Sequence, residues 1–293
     1  MKRSSNSKCS SGFFNYINIP DSVVMRLAIL QLWSFKDKIA NVQNIANKIE
    51  MVVKEHNPRL ITLPEYFVLP KRKNIECVPD GYISQQLSGL AKKHQVYIIG
   101  GTIPELGEND AMYNTCTVWS PTGDLMAKYR KVHLFDVEVK GGISFNESDD
   151  ISAGNDLSII NVDGHKIGIG ICYDIRFEEM ARVYRNAGCE MIIYPSAFNM
   201  TTGPLHWELL QRARANDNQL FIVTASTARD TSAKYVAYGH SMVVDPWAKV
   251  LHRASEREET VVADIDFNLV EQVRQQIPVF DQRRLDIYAT EKK

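Results

Sequence analysis

Two hydrophobic rhythms alternate along this 293-residue chain. "MRLAILQLW", from Met25, is apolar almost throughout, as a strand buried on both faces would be. In "KIANVQNIANKIEMVVKEH" the apolar residues Ile39, Val42, Ile45, Ile49 and Val52 recur every three or four positions, which predicts an amphipathic helix. "RLITLP" reads as a second strand ended by Pro64, and residues 81–95 as a second helix. "VYIIGGTIPE" reads as a third strand, closed by glycines and a proline. The middle of the chain has hairpin chemistry: "TCTVWSPTGDLMAKYRKVHLF" turns at Pro-Thr-Gly-Asp, and "LSIINVDGHKIGIGIC" turns at Asp163-Gly164. Helical patterns at 176–187 and 204–217 then alternate with the strands "EMIIYPS" and "QLFIVTAS". A last strand pair turns around Pro246-Trp247, and "DFNLVEQVRQQIP" predicts a closing helix.

Helices interleaved with a mixed set of strands imply a layered α/β fold, with sheets inside and helices outside. No internal repeat and no linker rich in Pro, Gly or Ser divides residues 25–288, which read as one domain. Residues 1–24 read as a flexible tail and 289–293 as a short C-terminal one. The opening "MKRSSNSKCSSGFFNYINIP" is basic and Ser-rich, with no acid before Asp21. That composition suits a weakly docked tail or a mitochondrial transit segment, and it lacks the apolar stretch of a secretory signal.

Charge narrows the partners. Lys plus Arg number 34 and Asp plus Glu 35, so no net field favours nucleic acid or an anionic membrane. The composition, 44% hydrophobic and 24% charged, is that of a globular protein, and no apolar run approaches the ~18 residues of a membrane span. The five cysteines are scattered, with no Cys-x-x-Cys pair and no zinc-ligand spacing. A reducing, cytoplasmic setting follows more naturally than a disulfide-bonded one.

Cys172 is the most informative of the five. It ends the apolar run "KIGIGIC", where Ile167, Ile169 and Ile171 would share one strand face and Gly168, Gly170 and Cys172 the other. On this reading the isoleucines bury the strand and the glycines leave space beside the sulfur. "YDIRFEEMARVY" then begins a helix, with Asp174 as an N-cap candidate. A thiol in the bend between strand and helix lies near backbone N–H groups that favour a thiolate or an oxyanion, although buried cysteines are most often inert. A nucleophilic thiol also needs a base. Glu65, in "ITLPEYF", follows the end of a buried strand and either faces solvent or is held in a pocket. In "KYRKVHLFD", Lys131 and His133 would share a strand face; either could assist, or both could belong to a solvated basic strand. Glu147, in "ISFNES", reads by default as a surface carboxylate.

Taken together, an acid after "LP", a lysine in "YRKVHLFD" and a cysteine in "GICYDIRFEE", in that order, resemble the Glu–Lys–Cys triad of the nitrilase superfamily of carbon–nitrogen hydrolases. The resemblance spans about residues 25–288 and includes "IGGTIPE", "YNTCTV", "YPSAFNMTTGPLHWELLQRARANDNQ", "YGHSMVVDPW" and "RQQIPVF". Within the superfamily it favours the omega-amidase branch, which acts on 2-oxo acid amides. It implies a four-layer α-β-β-α sandwich of two mixed sheets with helices outside, homodimers, and no metal or organic cofactor. It further implies that Cys172 is the nucleophile, Glu65 the general base and then acid, and Glu147 a second glutamate that holds the triad and substrate. Lys131 and the Tyr173 N–H would form the oxyanion hole, and Arg176, Phe198 and Thr202 would bind the substrate, Arg176 through its carboxylate. One stretch departs from that branch: "YFVLPKRK" replaces an aromatic pocket residue near Lys71 and brings Lys71, Arg72 and Lys73, a cationic feature for an acidic substrate or a solvated loop. A deaminated glutathione amidase of the same superfamily and a catalytically silent binding protein of this fold are the competing readings.

Overall fold

The computed structural model describes residues 24–293. The expected tail, with Cys9 and the transit-like composition, lies outside the described residues apart from Val24. The first half of the chain contains β1 (Val24–Gln31), α1 (Lys38–His56), β2 (Leu60–Thr62), α2 (Tyr82–His94) and β3 (Tyr97–Ile99). β4 (Ile103–Leu106), β5 (Met112–Trp119), β6 (Leu125–Arg130), β7 (Asp136–Glu138) and β8 (Ser144–Asn146) follow. Next come β9 (Ser158–Val162), β10 (His165–Ile169), α3 (Glu178–Asn186), β11 (Met191–Ser196) and α4 (Gly203–Asn218). The chain closes with β12 (Phe221–Ser226), β13 (Met242–Val244), β14 (Val250–Arg253), β15 (Glu259–Asp266) and α5 (Asn268–Gln276).

Two mixed sheets form the centre. The first runs β15-β1-β2-β3-β5-β4, with β6 added to β5, and the second runs β14-β13-β12-β11-β10-β9. Parallel pairs occupy the middle of each (β1–β2–β3 and β10–β11–β12), and antiparallel strands close the edges. β1 shows why the layers stack as they do. Its period of two sends Leu27 and Ile29 toward the second sheet, where they join Ile167, Ile193 and Val223. Ala28 and Leu30 point the other way, into a core with Val42, Ile45 and Ile49 of α1 and Leu87 of α2. Both faces of the strand are buried, which is why its sequence is continuously apolar rather than alternating. The layers are therefore α1 and α2, first sheet, second sheet, then α3 and α4, the expected α-β-β-α order.

Three local readings need correction. β6 stops at Arg130, so Lys131 and His133 do not share a strand face. Asp174 does not cap a helix: a 3-10 turn over Cys172–Arg176 comes first, and Phe177 occupies the N-cap of α3. Nor do Gly168 and Gly170 leave open space. A Cβ at Gly168 would lie 2.8 Å from the Tyr184 ring, and one at Gly170 2.4 Å from the Tyr194 ring. The glycines admit two aromatic side chains against the strand, so they serve packing rather than ligand access.

Candidate active site

Four chemically active side chains sit just beyond the C-terminal ends of four strands: Glu65 after β2, Lys131 after β6, Glu147 after β8 and Cys172 after β10. All are buried, with relative exposures of 2%, 2%, 5% and 7% respectively. Lys131 stands at the centre. Its Nζ donates to Glu65 Oε1 at 3.0 Å and to Glu147 Oε2 at 2.8 Å. Its backbone is pinned on both sides, since its N–H donates to the Asn114 carbonyl and its carbonyl accepts from the Gly154 N–H. The chain conformation therefore delivers the ammonium to one place.

The two carboxylates are fixed as carefully. Asn114, fully buried on β5, donates through Nδ2 to Glu65 Oε1 at 2.9 Å and to Glu147 Oε1 at 3.1 Å. Glu147 also accepts from the Phe135 N–H at 2.9 Å and from the Tyr66 hydroxyl at 3.2 Å. Burial and the charge of Lys131 shape the rest. Burial pushes the Glu65 carboxyl above its ordinary range, with Glu147 adding to the push against Lys131. The Glu147 carboxyl goes down instead: burial opposes its charge, but the Lys131 charge and hydrogen bonds win. Burial also works against the Lys131 ammonium, yet the two glutamates hold its pKa well above normal. The Cys172 thiol is pushed well up by burial and by the Glu65 carboxylate. The resting state is thus an ammonium between two carboxyl groups, beside a neutral thiol.

Backbone strain collects at the same place. Cys172 has φ 45° and Tyr66 has φ 48°, both in the left-handed region that side chains avoid. Asp174, fully buried, holds the cysteine turn. Its Oδ2 accepts from the Ile171 N–H at 2.8 Å and the Tyr129 hydroxyl at 2.7 Å, while its Oδ1 accepts from the His133 N–H at 3.0 Å and contacts His133 Nδ1 at 2.8 Å. His133 is therefore tied to Asp174 and stacked on Phe177, with ring centroids 3.6 Å apart, rather than aligned with the thiol.

Arg176 ends the 3-10 turn and lies within electrostatic reach of Cys172 and Tyr235. Its guanidinium sits between the Phe198 ring at 5.0 Å and the Tyr173 ring at 5.6 Å. No carboxylate pairs with it among the described residues, and its buried Nε has no partner. Arg214 of α4 fixes the backbone beneath it, donating to the Ile175 and Arg176 carbonyls at 2.9 and 2.8 Å. Phe198 packs edge-on against Trp207, and Thr202 immediately precedes α4, its N–H donating to Asn199 Oδ1. Lys71, Arg72 and Lys73 are exposed on a short 3-10 turn, as a solvated loop would be. Among the described residues no cluster of three or more His, Cys, Asp or Glu side chains is grouped to hold a metal ion, and no helix is long and apolar enough to cross a membrane.

Sandwiched sheets with a Glu, Lys and Cys gathered at the strand ends define a class, and residues 26–275 match the carbon–nitrogen hydrolase family; the chain belongs to that family. Among its relatives, an omega-amidase (NIT2) of Homo sapiens is 47% identical over 273 residues, covering 92% of this chain and 98% of that protein. The omega-amidase NIT2 of Danio rerio is also 47% identical, over 90% of this chain and 96% of its own length. Of solved structures, Saccharomyces cerevisiae Nit3, a member of branch 10 of the nitrilase superfamily, superposes with a TM-score of 0.83 at 42% identity, covering 90% of this chain and 97% of that one.

Sequence reasoning missed Asn114, Tyr66, Asp174 in its actual role, and Tyr235, whose hydroxyl donates to the Ala197 carbonyl at 2.6 Å beside the site. Asn114 carried a signal: it is a polar residue inside the buried strand "MYNTCTVW", where an unpaired amide would be costly. Tyr66 and Tyr235 carried none, because only the folded chain brings them near Glu147 and Cys172.

Proposed function

We propose that this protein is an omega-amidase, hydrolysing the terminal amide of 2-oxo dicarboxylic acid monoamides such as 2-oxoglutaramate and 2-oxosuccinamate to the 2-oxo acid and ammonia. The observation that carries the reading is the buried Glu65–Lys131–Glu147 cluster beside Cys172, with Arg176 close by and no carboxylate paired to it among the described residues. Cys172 passes its proton to Glu65 as the sulfur attacks the amide carbon. The oxyanion is met by the Lys131 ammonium and the Tyr173 N–H. Glu65 returns the proton to the departing nitrogen, ammonia leaves, and a thioester remains. Glu65 then takes a proton from water as its oxygen attacks the thioester; the acid departs and the proton returns to the sulfur. Glu147 holds Lys131 in line without exchanging protons, since its carboxyl is held below the ordinary range.

Arg176 takes the substrate's carboxylate through its planar fork, with Phe198 and Thr202 lining the same pocket. Residues 25–288 act as one hydrolase domain in this reading. A homodimer is part of it, supported by exposed Leu205 and Leu209 on α4. So is a cytoplasmic location, supported by four described cysteines that are all free thiols. The test is ammonia release from 2-oxoglutaramate by purified protein, with Cys172→Ala alongside. Release by the wild type alone is expected. Release by both removes the mechanism, and release by neither removes the substrate.

A further inference from the structure

Among the described residues Arg176 has one side-chain hydrogen-bond contact: its Nη1 lies 3.2 Å from Nδ1 of His206. A guanidinium carries five N–H donors and no acceptor, so this contact requires a lone pair on Nδ1. Nδ1 of His206 is therefore the acceptor in this contact. The histidine occupies the first turn of α4, where its N–H donates to the Thr202 carbonyl at 2.9 Å. One helical turn thus separates Thr202 from His206, and it is His206 that meets the guanidinium. The aromatic rings of Tyr173 and Phe198 restrict the arginine's plane, while Arg214 fixes its backbone. Neither fixes rotation within that plane. Only the His206 contact does, and it occupies one N–H while the buried Nε is left without a partner.

We propose that His206 is a positioning residue for substrate selection: through Nδ1 it orients the Arg176 fork so that its remaining N–H donors face an anionic group on the substrate. This rests on the reading that Arg176 receives the substrate's carboxylate. A neutral acceptor suits the task, since a carboxylate in the same place would cancel the charge that the substrate must meet. An asparagine would offer an oxygen close to where Nδ1 now lies, and a leucine would offer none.

The test compares two amides that differ in charge, succinamate and butanamide, as the ratio of their kcat/KM values. His206→Leu, His206→Asn and Arg176→Met are measured beside the wild type, with folding checked by circular dichroism and thermal unfolding. The expected result is a roughly tenfold fall in the succinamate-to-butanamide ratio for His206→Leu, carried by KM, with His206→Asn restoring most of it. Arg176→Met is expected to lower the ratio further. If Arg176→Met lowers the ratio and His206→Leu does not, or if asparagine fails as fully as leucine, the role of His206 is overturned while the carboxylate reading stands. If Arg176→Met leaves the ratio unchanged, the carboxylate reading itself fails, and this inference with it.

Discussion

Replacing Asp174 by asparagine tests how the cysteine turn is held. The two side chains have the same shape, but asparagine has one acceptor oxygen and one NH2 group. In the structure each Asp174 oxygen faces a backbone donor: Oδ2 faces the Ile171 N–H at 2.8 Å and Oδ1 the His133 N–H at 3.0 Å. Either orientation of the amide therefore sets an NH2 group against a backbone N–H, in a side chain with no exposed surface. Leaving one buried donor unsatisfied costs about 1–3 kcal/mol, and losing the charge on the remaining bonds adds to that. We expect Asp174→Asn to destabilise the fold by about 3 kcal/mol, read as a lower urea midpoint at unchanged slope. Tyr129→Phe removes one donor and leaves the carboxylate intact, so it should cost only about 1 kcal/mol. Cys172, held at φ 45° by the same turn, should lose its alignment in the asparagine variant, and kcat on the amide substrate should fall with stability. A loss below about 1 kcal/mol for Asp174→Asn, or one no larger than that of Tyr129→Phe, refutes the argument.

Two further substitutions probe the packing beneath the site. Gly170→Ala would place a Cβ 2.4 Å from the Tyr194 ring, so it should destabilise by about 1–3 kcal/mol in the same urea assay. Tyr194→Phe removes a buried hydroxyl that has no partner among the described residues, and it should leave stability unchanged or raise it by about 1 kcal/mol; a clear loss would show that the hydroxyl is satisfied after all.

How much of this was legible in the chain differs from residue to residue. The layers were, because the unbroken apolar run of β1 and the period near 3.6 in α1 are written directly in residue type. Glu65, Lys131 and Cys172 were visible as polar residues at the ends of apolar runs, though only a resemblance joined them. Their burial was not legible: Glu147 follows "SFN", three residues that are all exposed, yet is itself 5% exposed. Its position depends on the Phe135 N–H and on Asn114, which are 12 and 33 residues away in the chain. The glycines of "GIGIC" misled for a related reason. A missing Cβ says that something comes close, and only the packing of Tyr184 and Tyr194 says what.

Charge ratio separates the proposed base from a structural carboxylate. Glu105 and Glu65 are both buried glutamates, 1% and 2% exposed, and nothing in their neighbouring residues distinguishes them. Glu105 accepts from Lys128 at 2.8 Å and from Arg130 at 2.9 and 2.8 Å. Two cations serve one carboxylate, and although burial opposes its charge its carboxyl falls below the ordinary range. Glu65 shares one lysine with Glu147, and its carboxyl rises. In the proposed role Glu65 must be ionised to take the thiol's proton, so activity is expected to be absent at low pH and to appear as pH rises through the Glu65 pKa. That rising limb of kcat/KM should lie above the usual carboxylate range. Glu147→Gln removes the negative charge that helps hold Glu65 up and leaves Lys131 to Glu65 alone. The limb should then move to lower pH, even as kcat falls through the loss of one anchor for Lys131. A limb that stays in place or moves up would mean that the group titrating there is not Glu65.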